Sequence, residues 1–204
     1  MQEELDKSQG PLVCADYFFP RDRPGDPGVT SIPLCDDISQ FLAGLVVSAK
    51  GASCESAVGQ VLKDLRNMGR HGRVVVRTDQ EPSIIDMLKA VAKERGDVKT
   101  IIETAARSES KGNGKAEKAV QSIEEMVRTL IIGLEERCGE KLTVTESFFP
   151  WLLEHACDLL NKYKVRRGNK TAWGTLKGRP YSGEVYPFGT PVMFRISGPV
   201  QGGS

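Results

Sequence analysis

The feature that most constrains this chain is a change of hydrophobic period near residue 53. Before it, apolar residues gather in three short β-type runs; after it, helical and strand patterns alternate. The first run, Pro11-Leu-Val-Cys-Ala-Asp16-Tyr-Phe-Phe19, reads as a buried strand with one acid inside it. Residues 20–28 are rich in proline and glycine and read as a turn. Thr30–Cys35 and Phe41–Ala49 are two further runs that flank Asp36-Asp37-Ile-Ser-Gln40, so the three form a β-meander. From Ser53, the residues Ala57, Val58, Val61, Leu62, Leu65 and Met68 follow the 3.6 period up to Gly69 and Gly72. Arg73-Val-Val-Val-Arg77 is a strand, because β-branched residues in succession suit a buried pleated surface. Pro82 can open the next helix, which carries Ile84, Ile85, Leu88, Val91 and Ala92 on one face and ends at Gly96. Val98–Ile102 is a last short strand, and Ala105–Gly114 a polar loop. A long helix from Lys115 bears the stripe Ala116, Val120, Ile123, Val127, Leu130 and Leu134, and another helix spans Pro150–Tyr163. The order predicts an α/β fold: one mixed five-stranded sheet, three antiparallel strands then alternating α and β units, with helices on both faces.

Composition narrows the class. The 204 residues are 39% apolar and 27% charged, enough to bury a core as one large domain or a domain with a short appendage. No apolar run approaches a membrane span, so no membrane partner is expected. Residues 1–10 read as a flexible lead-in without the apolar stretch of a secretory signal. The five cysteines are scattered with no CxxC pair, and His71 and His155 stand far apart, which excludes a Cys/His zinc module within this chain. With a net charge of +1, any nucleic-acid role has to come from local patches.

Three carboxylates occupy unusual places. Asp16 lies in an apolar strand, where burial disfavours a charge. Asp79 lies just past a β-branched strand, at the carboxyl end where α/β sheets bind ligands. Glu117 sits at the border of the apolar stripe of the long helix. Read singly, Asp79 is a turn or cap residue and Glu117 a dipole-complementing surface residue. If the two Asp strands are neighbours, their acids converge, and the long helix can bring Glu117 over them. Three gathered acids repel unless a divalent cation neutralises them, and oxygen donors without His or Cys favour magnesium or manganese.

Four stretches carry a resemblance. Val13-Cys-Ala-Asp16, Asp36-Asp37-Ile-Ser-Gln40-Phe41, Val74-Val-Val-Arg-Thr-Asp79-Gln80-Glu81 and Asn113-Gly-Lys-Ala-Glu117-Lys118 occur in this order. Together they resemble the catalytic core of retroviral and long-terminal-repeat retrotransposon integrases. The last stretch matches the family's most specific signature, Asn-Gly-x-x-Glu-Lys/Arg. The resemblance covers residues 11–165 and implies an RNase H-like fold. It implies that Asp16, Asp79 and Glu117 are the catalytic residues and ligands of two Mg2+ (or Mn2+) ions. It also implies metal-dependent nicking and strand transfer of DNA, action as a homo-oligomer on element ends and target DNA, and a nuclear location, or a cytoplasmic one before nuclear entry. Asp37 matches a family acid outside the site. The sequence departs from the family at Gln80-Glu81, where Asn-Gly is usual. It also has Gln121 and Glu124 where retroviral members often carry DNA-contacting lysines.

The positive charge is local. Residues 159–183 hold Lys162, Lys164, Arg166, Arg167, Lys170, Lys177 and Arg179 and no acid, with Tyr163, Trp173 and Tyr181 interleaved. Such a run can neutralise phosphates and stack on bases, or be a solvated basic tail. Around the third acid, Asn113, Lys115 and Lys118 are the matching DNA-contact candidates. Lys63, Arg66, Arg70, His71 and Arg73 read as a solvated helix end. Residues 166–204 are expected to be a basic linker and the start of a truncated C-terminal DNA-binding module, with a strand over Pro187–Ile196. Two other functions fit the same features: a catalytically inactive or fragmentary nucleic-acid-binding remnant, and an RNase H-like nuclease.

Overall fold

The computed structural model describes residues 10–26, 28–52, 54–96, 99–104, 110–166 and 168–193, and of residues 110–113 the backbone alone. Its strands are β1 (Leu12–Ala15), β2 (Ser31–Asp36), β3 (Leu42–Val46), β4 (Val74–Thr78) and β5 (Thr100–Thr104). Its helices are α1 (Glu55–Asn67), α2 (Pro82–Glu94), α3 (Ser110–Cys138), α4 (Phe149–Tyr163) and α5 (Ala172–Lys177). The sheet order is β3-β2-β1-β4-β5. β1, β2 and β3 pair antiparallel, while β4 runs parallel to both β1 and β5. This is the mixed five-stranded sheet that the period change predicts.

Side-chain alternation splits the core in two. Val13, Ala15, Ile32, Leu34, Val74 and Val76 pack against Val61 and Leu65 of α1 and Ile84, Leu88 and Val91 of α2. On the other face Leu42 packs against Ile123 and Val127 of α3 and Phe149, Leu152, Leu153 and Ala156 of α4. Gly44 makes this second contact possible: a Cβ there would lie 3.1 Å from Cys157 Sγ and 3.2 Å from Leu153 Cγ.

Several boundaries differ from the sequence reading. β1 stops before Asp16 instead of enclosing it. The β1–β2 register (Val13 with Asp36, Cys14 with Cys35, Ala15 with Leu34), continued one step, sets Asp16 opposite Pro33. Pro33 has no N–H to donate, so the ladder breaks there and resumes as a single bridge between Phe18 and Ser31. β5 lies two residues later than expected, on the β-branched run Thr100-Ile-Ile, with Val98 outside the described residues. α3 starts at Ser110, within the expected loop, because extending a long helix costs far less than nucleating one. Residues 187–193 form no strand: Thr190 N–H closes a turn on Pro187 O (3.1 Å) through Gly189 (φ +78°), and the rest of that stretch lies outside the described residues. α5 was not expected; Thr171 caps it by accepting from Gly174 N–H (3.0 Å), and Gly178 ends it.

Candidate active site

The parallel register aligns Leu12 with Val75, Val13 with Val76 and Cys14 with Arg77. Two steps further, Asp16 stands level with Asp79, each the first residue past its strand. Both are half-buried. Asp16 Oδ1 accepts the N–H of Tyr17 (2.8 Å). Asp79 Oδ1 accepts the N–H of Glu81 (3.0 Å), an Asx turn that leads into Pro82 at the start of α2. The backbone thus brings two carboxylates to the carboxyl ends of adjacent parallel strands, the usual ligand edge of α/β sheets. Beside them, burial works against the charge of Glu81, but hydrogen bonds from Lys50 and Ser83 outweigh it and hold its carboxyl below the usual range.

Glu117 is exposed in the early turns of α3. Lys115, two residues before it, pairs with Asp37, and that hydrogen bond is the first cause holding the ammonium above its usual pKa. Asp37 N–H in turn bonds Leu12 O (2.9 Å). Leu12 lies four residues, roughly 13 Å, before Asp16 along the strand. Among the described residues no group of three or more His, Cys, Asp or Glu side chains is placed to hold a metal ion. The register therefore sets Asp16 and Asp79 level at one sheet edge, and Glu117 is exposed on α3. Two carboxylates suffice as the protein's share of a magnesium site, since Mg2+ commonly takes one or two plus water and substrate oxygens.

The basic segment is more engaged than its sequence suggests. Lys162 bonds Asp158 (2.6 Å) and lies 4.2 Å from the centroid of Tyr181 and 5.7 Å from that of Trp173. Trp173 and Tyr163 both meet Tyr181 edge-on. Lys164 donates to Ser122 Oγ (2.7 Å). Arg166 is half-buried beside Cys35, and burial lowers its pKa. Lys118 and Lys170 are exposed. Arg167 lies outside the described residues, as does the side chain of Asn113. Arg70 is no solvated helix end. Its Nε and Nη2 each donate to the fully buried Asp36 (2.7 Å), whose Oδ2 also accepts from Ser39 N–H and Oγ.

The fold has counterparts among solved structures. The chain is similar to the HTLV-2 integrase catalytic core domain in complex with magnesium. Against its trimeric form the TM-score is 0.56 at 12% identity, covering 80% of this chain and 95% of that one. Against its dimeric form the TM-score is 0.54 at 10% identity, covering 78% and 92%. It is also similar to a chain of the simian T-cell lymphotropic virus intasome in complex with PP2A regulatory subunit B56 gamma. That match has a TM-score of 0.56 at 14% identity and covers 90% of this chain but 60% of the other. No family model matches, and no curated protein does. The chain has the RNase H-like fold of retroviral integrase catalytic cores.

Proposed function

We propose that this chain is an integrase-type core that nicks DNA and joins DNA strands with divalent metal, in the manner of a retrotransposon integrase. The observation that carries this reading is Asp16 level with Asp79 at the carboxyl ends of β1 and β4, in a chain with the integrase-core fold. Asp16 and Asp79 hold Mg2+ or Mn2+, and Glu117 is the third carboxylate, drawn in from α3. A pair of such ions supplies activation of the attacking oxygen and stabilisation of the leaving one. The exposed Lys118 and Lys170 are the first candidates for phosphate contact, with Lys115 following once it leaves Asp37. The same reading includes a homo-oligomer acting on DNA in the nucleus, cytoplasmic before nuclear entry.

The exposed position of Glu117 favours a second reading, a nucleic-acid-binding core that does not catalyse. One experiment separates them: Mn2+-dependent strand joining on a branched DNA substrate, with Asp79→Asn and Glu117→Gln beside wild type. Joining in wild type that falls to background in both variants is the expected result. DNA binding without joining in folded wild type selects the second reading. Hydrolysis of an RNA–DNA hybrid without joining selects a plain nuclease.

A further inference from the structure

The two strand-end acids are linked a second time, away from the ladder, through a residue that the sequence signatures do not include. Tyr17 N–H donates to Asp16 Oδ1. The Tyr17 ring lies 4.8 Å from the ammonium of Lys50, its phenol accepts the N–H of Gly51 (3.1 Å), and the Phe19 ring lies 4.8 Å from the same ammonium. Lys50 Nζ bonds Glu81 Oε1 (2.6 Å), which Ser83 Oγ also reaches (2.7 Å). Glu81 N–H closes the circuit on Asp79 Oδ1. Lys50 follows β3, so one side chain on the β3–α1 connection grips the segment after Asp16 and the segment after Asp79 together.

We infer that Lys50 is a positioning residue, which sets the relative placement of the Asp16 and Asp79 carboxylates for a divalent cation. The inference rests on the two-carboxylate site proposed above. Exposed ion pairs contribute little to stability, so the worth of this one lies in what it aligns. Groups that orient metal ligands typically change metal affinity by about 10–100-fold when removed.

The sign of the effect tests it. A bystander ammonium beside the acids repels a cation, so its removal would raise metal affinity. A positioning residue predicts the reverse. The experiment titrates the full chain with Mn2+ alone, following the free ion by electron paramagnetic resonance, in wild type, Lys50→Met, Lys50→Arg and Asp79→Asn. Lys50→Met is expected to weaken binding about tenfold, with Lys50→Arg within about threefold of wild type because it keeps the charge and the aromatic contact. Unchanged or raised affinity in Lys50→Met, with binding still lost in Asp79→Asn, overturns the role of Lys50 and leaves the site standing. Wild-type binding in Asp79→Asn removes the site and this inference with it. Lys50 is exposed on a loop, so equal thermal midpoints are expected for wild type, Lys50→Met and Lys50→Arg.

Discussion

The two faces of the sheet are closed by different means. The face under α1 and α2 is covered by helices that follow directly on the strands they pack against. At its margin lies the Asp36–Arg70 pair, thirty-four residues apart in sequence. The face under α3 and α4 depends on distant tethers. Asn161 brackets Leu42 from 119 residues away, accepting its N–H (2.8 Å) and donating to its carbonyl (2.7 Å). Asp22 accepts Val144 N–H (3.1 Å) across 122 residues. Local periodicity can specify the first kind of closure. The second needs the chain already folded, and it is the face on which Glu117 has to be placed.

The largest expected effect tests whether the first face is as apolar in its energetics as in its composition. Arg70→Met leaves Asp36, fully buried, without its bidentate partner. A loss of about 3–5 kcal/mol is expected in urea unfolding, the cost of stranding a buried charge. A loss under about 1 kcal/mol would mean that the two Ser39 hydrogen bonds suffice. Next, Asn161→Ala unpairs both backbone groups of Leu42 under α4. A loss of about 2–4 kcal/mol is expected, with hydrogen exchange accelerated in β3 and α4 and unchanged in α2.

This contrast also explains what could be read from the residues. The runs of β1 to β4, α1 and α2 were legible because each buries a face whose period shows locally: Val74-Val-Val and Val58, Val61, Leu65 need no distant partner to be recognised. The placing of Asp16 and Asp79 at the ends of adjacent strands followed once those strands were taken as neighbours. The end of β1 was not legible, because it depends on Pro33 standing opposite Asp16. Arg70 looked like a solvated charge because its partner lies on another element. The internal engagement of Lys162 and Lys164 and the burial of Arg166 were hidden in the same way, since composition reports charge and not its surroundings. α5 did have a signal, Thr171 at its start and Gly178 after its end, within a stretch whose glycines and basic residues read as a tail.

Where the two helix layers meet near β3, a pH dependence should appear. Asp64 of α1 is buried, and desolvation pushes its carboxyl up to about 6, against hydrogen bonds from Gln60 and with Glu154 of α4 adding repulsion. The folded chain keeps this proton to about pH 6, whereas the unfolded chain releases it near the ordinary value of 3.8. Between those values the folded state binds more protons, so stability falls as pH rises and levels off above 6. Asp64→Asn should therefore match wild type below pH 4 and exceed it at pH 8 by on the order of 2 kcal/mol. Equal pH profiles in urea unfolding would show that the two helix layers do not desolvate this acid.

The smallest effect concerns Lys162, where composition and structure give opposite readings. A phosphate-contacting lysine, once removed, lowers the salt dependence of DNA binding by about one unit of log–log slope. A lysine held by Asp158, Tyr181 and Trp173 anchors the α5 segment instead. Lys162 is only 15% exposed at its side chain, which favours the second role. Lys162→Met is expected to cost about 0.5–1 kcal/mol, to shift Trp173 fluorescence, and to leave the salt slope unchanged. Lys170→Met, exposed and outside that cluster, is expected to do the reverse: no change in Trp173 fluorescence and a slope reduced by about one. If Lys162→Met lowers the slope and Trp173 does not respond, the basic segment binds phosphate through its packed lysines. The tethered face would then be an open one in the DNA-bound state.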